Sequence, residues 1–100
     1  MIYNLEYSKQ AEIDIDKLFI VISTEYKAPL TAFRYIQGII NTINRLKQNA
    51  DIYAFYNSNF VKPYGYNVKR VNYKKMAIFF TVFERTVYIH RIIPSAIITD

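Results

Sequence analysis

The chain has no cysteine, which excludes disulfide scaffolds, thiol catalysis and thiolate zinc sites and sets nothing against a reducing compartment. A single histidine, His90, cannot build a histidine-rich metal centre. Neither a metal nor a cofactor is expected. Glycine occurs twice and proline three times, a globular rather than a disordered profile. Apolar runs are short: Leu18 to Ile22 falls far below the roughly 20 residues that cross a bilayer. The first thirty residues carry Glu6, Glu12, Asp14 and Asp16 and lack the continuous apolar core of a signal peptide. A soluble, cytoplasmic protein without membrane attachment is expected.

What is present suits one domain spanning residues 1–100. A chain of 100 residues buries roughly two-thirds of its unfolded surface, enough for a core but not for a doubly wound fold or a βα barrel. Apolar residues make up 52% of the chain and aromatics 17%, so core-forming material is plentiful. The net charge of +5 is unevenly placed. Residues 1–60 carry six basic and six acidic side chains. Residues 61–100 carry seven basic ones, Lys62, Lys69, Arg70, Lys74, Lys75, Arg85 and Arg91, against Glu84 and Asp100. The whole excess therefore lies in the last forty positions, and an acidic partner or a polyanion would be drawn there.

Periodicity divides the chain into elements. Residues 2–7 alternate as a strand with Tyr3, Leu5 and Tyr7 on one face. Ser8 can cap a helix in which Ala11, Ile15, Leu18 and Ile22 recur at three and four, with Phe19 beside them and Asp14 and Lys17 paired on the surface. That helix should stop near Tyr26 or Lys27, because Pro29 disfavours helical geometry in the residue before it. Pro29 suits the first turn of a second helix, whose stripe Leu30, Phe33, Ile36, Ile40, Ile43 and Leu46 runs to about Asn49. Gly38 inside it costs about 1 kcal/mol against alanine and reads as a point of close packing. Residues 50–66 lose the pattern and form a tyrosine- and asparagine-rich connection. Three strands follow, over Asn67 to Tyr73, Met76 to Phe83 and Thr86 to Ile93, with Pro94 ending the last. The middle one is apolar on both faces and belongs in the sheet interior. The expected class is α+β in the order β-α-α-β-β-β: an N-terminal strand, an antiparallel helical hairpin, then a three-stranded antiparallel meander.

The opening YNLEYSKQAEIDIDKLFIVI, the helix PLTAFRYIQGIINTINRLK and the closing VKRVNYKKMAIFFTVFERTVYIHRII resemble, in order and spacing, the RelE/ParE superfamily of toxins from bacterial type II toxin–antitoxin modules. The resemblance covers nearly the whole chain. It implies a cognate acidic antitoxin as partner, with a homodimer or a heterotetramer with the antitoxin as compatible assemblies. It offers two activities: messenger-RNA cleavage on or off the ribosome, as in RelE-like toxins, or inhibition of DNA gyrase, as in ParE-like ones. Within the family's aromatic-aliphatic stretch, Ile78 and Phe79 match, Met76 stands where tyrosine is frequent, and Phe80 replaces the last tyrosine. Arg91, Ile92 and Ile93 match the next strand, but the basic or acid–base residues that usually follow are replaced by Pro94 to Asp100. That departure favours binding of a protein target over catalysis. If the chain is an enzyme, it should be a metal-independent endoribonuclease; a degenerate nontoxic protein- or RNA-binding module is the third reading.

Cleavage at a 2′-hydroxyl needs a base, an acid and cations around the phosphate. His90 is the side chain tuned to proton transfer near neutrality, and Tyr73 is the second candidate. His90 and Arg91, being adjacent in a strand, should face opposite ways; with Arg91 on the open face, His90 falls on the helix-covered side as a packed residue. Lys69, Arg70, Lys74, Lys75 and Arg91 are candidate target or phosphate ligands, Lys74 and Lys75 at a hairpin turn, with Tyr66 able to stack on a base. The bland alternative is a solvated cationic edge. Arg91, inside an apolar strand, demands a phosphate, an antitoxin carboxylate or an internal acid. The helices can cover only one sheet face, so Phe79 and Phe83, with Arg85 and Arg91, are assigned to antitoxin binding on the other; homodimer packing or the segment 95–100 folding back would serve the same end.

Overall fold

Ser8 turns strand into helix. β1 (Asn4–Tyr7) ends there, and the Ser8 hydroxyl accepts the Ala11 amide and donates to the His90 carbonyl, both at 2.9 Å. One side chain thus caps α1 (Lys9–Thr24) and fixes it to the strand beside β1. The computed structural model describes residues 2–98. α1 stops at Thr24, a little before the expected end, and Lys27 takes a left-handed φ of 51° ahead of Pro29. α2 (Pro29–Asn49) has the expected bounds, with proline as its first residue. The connection contains two 3-10 segments, Ala50–Ile52 and Asn59–Tyr64. β2 (Lys69–Tyr73), β3 (Met76–Phe83) and β4 (Thr86–Pro94) complete the meander, followed by a 3-10 turn, Ser95–Ile97. β2 begins two residues after its expected start, because the connection pairs there: Tyr56 donates its amide to the Val68 carbonyl at 2.7 Å.

The sheet order is β1-β4-β3-β2, with β1 parallel to β4 and the other pairs antiparallel. This is the expected β-α-α-β-β-β architecture, and β3 is the doubly buried strand. On one face the helical hairpin sets Ile39, Ile43 and Leu46 against Ile78, Phe80, Val87, Ile89 and Ile92. The other face carries Val68, Ala77, Phe79 and Ile93, and it too is closed: Val61 is buried among them, with Tyr56, Phe60, Tyr64 and Ile98 packed around. The connection, rather than a partner, supplies the cover. Of the segment 95–100, whose folding back is the alternative to a partner on this face, Ile98 takes part, while Thr99 and Asp100 lie outside the described residues.

The α2 stripe is displaced from its expected beginning. Ala32, Ile39, Ile43 and Leu46 are fully buried, whereas Leu30 and Phe33 are 61% and 59% exposed. α2 meets the sheet at Tyr35, edge-on to Tyr73 with ring centroids 5.3 Å apart, and Leu30 and Phe33 precede that contact. Gly38 lies where the Tyr73 hydroxyl presses on the helix, and a β-carbon at that position would overlap the phenol. The close-packing role expected of this glycine is thus met by one named side chain.

Candidate functional site

A slip in the β3–β4 register creates the polar cluster of the far face. Phe79 pairs with Arg91 and Phe80 with Ile89, leaving His90 as an extra residue on β4. In regular strand His90 and Arg91 would diverge; across the bulge both reach Tyr64. The Tyr64 ring stacks on His90 at 5.3 Å, and Arg91 Nη1 donates to the Tyr64 hydroxyl at 3.4 Å. The placement of His90 on the helix-covered side is therefore corrected: it lies under the connection, with Nε2 3.0 Å from Thr81 Oγ1. Burial pushes its pKa below the usual histidine value, so the ring is neutral at pH 7.

Arg91 finds the internal acid among its three anticipated partners. Its Nε donates to Asp14 Oδ2 at 2.9 Å and its Nη2 to Asp14 Oδ1 at 3.2 Å. Asp14 is buried in α1 instead of pairing with Lys17 at the surface, and it also accepts the Ile92 amide at 2.9 Å. The sheet explains this geometry. β1 runs out at Tyr7, opposite Ile89, so the Ile92 amide has no strand beside it, and the carboxylate takes that place. Hydrogen bonding to Asp14 drives the Arg91 pKa further above its ordinary value, and the guanidinium is permanently charged. Committed in this way, Arg91 does not offer the open phosphate or antitoxin contact assigned to it.

The other cations divide sharply. Lys69 is buried: its ammonium donates to the Ala50 carbonyl at 3.2 Å, just past α2, and lies 5.4 Å from the centre of the Phe55 ring. A buried ammonium that satisfies a backbone carbonyl is a structural device, which removes Lys69 from the phosphate-binding rim. Arg70 donates to Asn72 Oδ1 at 2.9 Å, the Tyr56 hydroxyl at 3.0 Å and Ser95 Oγ at 3.1 Å, and its guanidinium covers the Tyr56 ring at 5.2 Å. It ties β2, the connection and the C-terminal turn together. Lys74 and Lys75 form the expected turn and are exposed, Lys74 with a φ of 51° and its ammonium near the rings of Tyr35 and Tyr73. Arg85 is exposed in the β3–β4 turn beside Glu84.

Among the aromatic candidates, Phe79 is completely buried beneath Tyr56 and Phe60 and cannot serve as the surface proposed for an antitoxin, because the connection already occupies that face. Phe83 and Tyr66 are exposed, Tyr66 almost entirely. Tyr73 lies on the helix side against Tyr35, while His90 lies under Tyr64 on the far side. The two proton-transfer candidates are thus separated by the sheet and cannot act on one phosphate. Tyr56, Tyr64, Ser95 and Asp14 are partners that sequence reasoning missed; no local pattern marks them, since each acts on a residue distant in the chain. Tyr56, Lys62 and Tyr66 also border an open concavity of about 710 Å³, and Glu6, Tyr88 and His90 a smaller one of about 220 Å³. Among the described residues no cluster of three His, Cys, Asp or Glu could hold a metal ion, and no helix is long and apolar enough to cross a membrane.

The class is therefore an α+β domain in which a helical hairpin covers one face of a mixed four-stranded sheet and a 3-10 strap covers the other. In this fold the chain is similar to one in a structure described as the chromosomal ParDE TA system from P. aeruginosa, with a TM-score of 0.73 and 21% identity over 93% of this chain and 96% of that one. At that identity the likeness is one of fold. No family model matches the sequence, and no curated protein matches it.

Proposed function

We propose that the chain is the toxin of a two-component toxin–antitoxin module, acting by contact with a protein target, for which DNA gyrase is the leading candidate, and neutralised by an acidic antitoxin. The observation that carries the noncatalytic choice is the separation of His90 and Tyr73 onto opposite sheet faces. With Arg70 and Arg91 tied to internal partners and Lys69 buried, no acid–base pair among the described residues shares a ring of uncommitted cations. The fold likeness to the ParDE system supports the toxin reading. Lys62, Lys74, Lys75 and Arg85 remain exposed on the positively charged half and suit an acidic antitoxin.

Induction of the gene without its antitoxin, followed by mapping of cellular RNA ends and assay of gyrase-dependent supercoiling, tests this. Growth arrest with inhibited supercoiling and intact RNA is expected. Specific RNA cuts preceding arrest would replace the proposal with a RelE-type nuclease, and growth without any defect would replace it with the degenerate, nontoxic module.

A further inference from the structure

The strap carries an inner and an outer row of side chains. Tyr56, Phe60, Val61 and Tyr64 pack toward the sheet, whereas Asn57, Asn59, Lys62 and Tyr66 are exposed. None of these four outer side chains has a hydrogen-bond, ion-pair or ring partner among the described residues. All four border the concavity of about 710 Å³, a size usual for small-ligand sites. Its shape is set by the backbone. The Gly65 amide donates to the Lys62 carbonyl at 3.1 Å, and Gly65 takes a φ of 110°, a conformation that other residues rarely adopt. A β-carbon at Gly65 would meet nothing, so this glycine serves the turn and not packing. Just beyond the turn stands Tyr66, 97% exposed.

We propose that this concavity binds a nucleoside monophosphate unit. Charge gives the first constraint. Lys62 is the one charged residue of the lining and no acid accompanies it, so the ligand is an anion that one ammonium can satisfy. An acidic peptide segment, with several carboxylates, would instead be drawn to the adjacent, exposed Lys74 and Lys75. Planarity gives the second constraint. The Tyr66 phenol has no ring against it among the described residues and offers an open face on which a base can stack. Asn57 and Asn59 each add a carboxamide that both donates and accepts, as the edge of a base requires. A single phosphate therefore matches Lys62, and a flat heteroaromatic ring matches Tyr66 and the two carboxamides. Neither His90 nor Tyr73 borders the concavity, so it holds its ligand without cleaving it. A free nucleotide and one unit of a single strand offer the same chemistry.

The test is titration of the purified full-length chain with adenosine monophosphate, read by amide NMR shifts, without antitoxin or target. Neither result touches the toxin reading. Saturable shifts confined to residues 56–66 are expected. Tyr66→Ala should weaken binding about tenfold, while Tyr66→Phe, which keeps the ring, should leave it intact. Lys62→Gln should weaken adenosine monophosphate about threefold and leave adenosine unaffected, because only the phosphate needs the ammonium. Both side chains are exposed, so the variants should keep the wild-type fold. Inorganic phosphate alone should bind about tenfold more weakly than the nucleotide. A single-stranded adenylate trinucleotide separates the two sources: tighter binding than the mononucleotide assigns the site to a strand, equal or weaker binding to a free nucleotide, and either sustains the proposal. Absence of saturable shifts, shifts centred on Lys74 and Lys75, an unchanged affinity in Tyr66→Ala, or inorganic phosphate binding as well as the nucleotide would each overturn it.

Discussion

The two faces of the sheet bury neighbouring phenylalanines of one strand against different kinds of cover. Phe80 and Phe79 are both fully buried, Phe80 under the helical hairpin and Phe79 under the strap. The helices satisfy their own backbone hydrogen bonds, so what they bring to the sheet is chiefly apolar, Ala11, Ile39, Ile43 and Leu46 with Ile15, Leu18 and Ile36 beside them. The strap has only short 3-10 turns, and side chains anchor it: Tyr56 to Arg70 at one end, Tyr64 to His90 and Arg91 at the other. A face covered by regular structure relies on apolar area. A face covered by irregular chain relies on a few polar clasps, each reaching across the sequence.

The largest expected effect sets the two faces side by side. Phe80→Ala should destabilise by about 4 kcal/mol, because the helices cannot collapse into the space. Phe79→Ala should cost about 3 kcal/mol, since the strap can settle, and should speed proteolytic cleavage between residues 56 and 66. Urea unfolding and limited proteolysis measure both; equal costs with no added cleavage would erase the distinction between the covers.

Next is the clasp that reaches the far face from α1. Asp14→Ala strands the Arg91 guanidinium and the Ile92 amide together and should cost about 3 kcal/mol in urea unfolding. Asp14→Leu with Arg91→Met should recover only part of that loss, because the apolar pair leaves no buried charge unpaired while the Ile92 amide still lacks its acceptor.

The same contrast decides what could be read from the residues alone. Elements covered by regular structure follow local period and punctuation: Pro29 opens α2, loss of the helical repeat closes it at Asn49, and β3 lies between the turns at Lys74–Lys75 and Glu84–Arg85. The far face was not legible in this way. Asp14 looks like a surface residue of an amphipathic helix, and its partner lies 77 positions away. The single extra residue at His90 leaves the alternation of β4 almost unchanged yet moves the ring to the other face. The cations suffered most, since a lysine count does not reveal that Lys69 has a carbonyl to satisfy. Leu30 and Phe33 keep perfect helical spacing, but spacing does not say where the sheet beneath ends.

A smaller effect probes the helix-covered face. Gly38→Ala gains about 1 kcal/mol of helix propensity but must push the Tyr73 phenol aside and break its edge-on contact with Tyr35. The net result should be a destabilisation of about 1 kcal/mol. Made in a Tyr73→Ala background, the same substitution should become stabilising by a similar amount, a reversal of sign that a double-mutant cycle reads directly.

The smallest effect belongs to the strap and comes through pH. Burial holds the folded-state pKa of His90 below that of the unfolded chain. The unfolded chain therefore binds more protons as pH falls through the ordinary histidine range, and stability should decline there, levelling once His90 is also protonated in the folded state. The direction is opposite to that of a histidine held by a carboxylate. His90→Gln should remove this part of the pH dependence, seen as the difference in urea midpoint between wild type and variant from pH 7.5 to about 5. The strap should show the loss locally, with proteolysis between residues 56 and 66 quickening at lower pH in the wild type but not in the variant, because a protonated imidazole draws water beneath Tyr64. If cleavage quickened equally in both, the clasp on His90 would not be what holds that end of the strap.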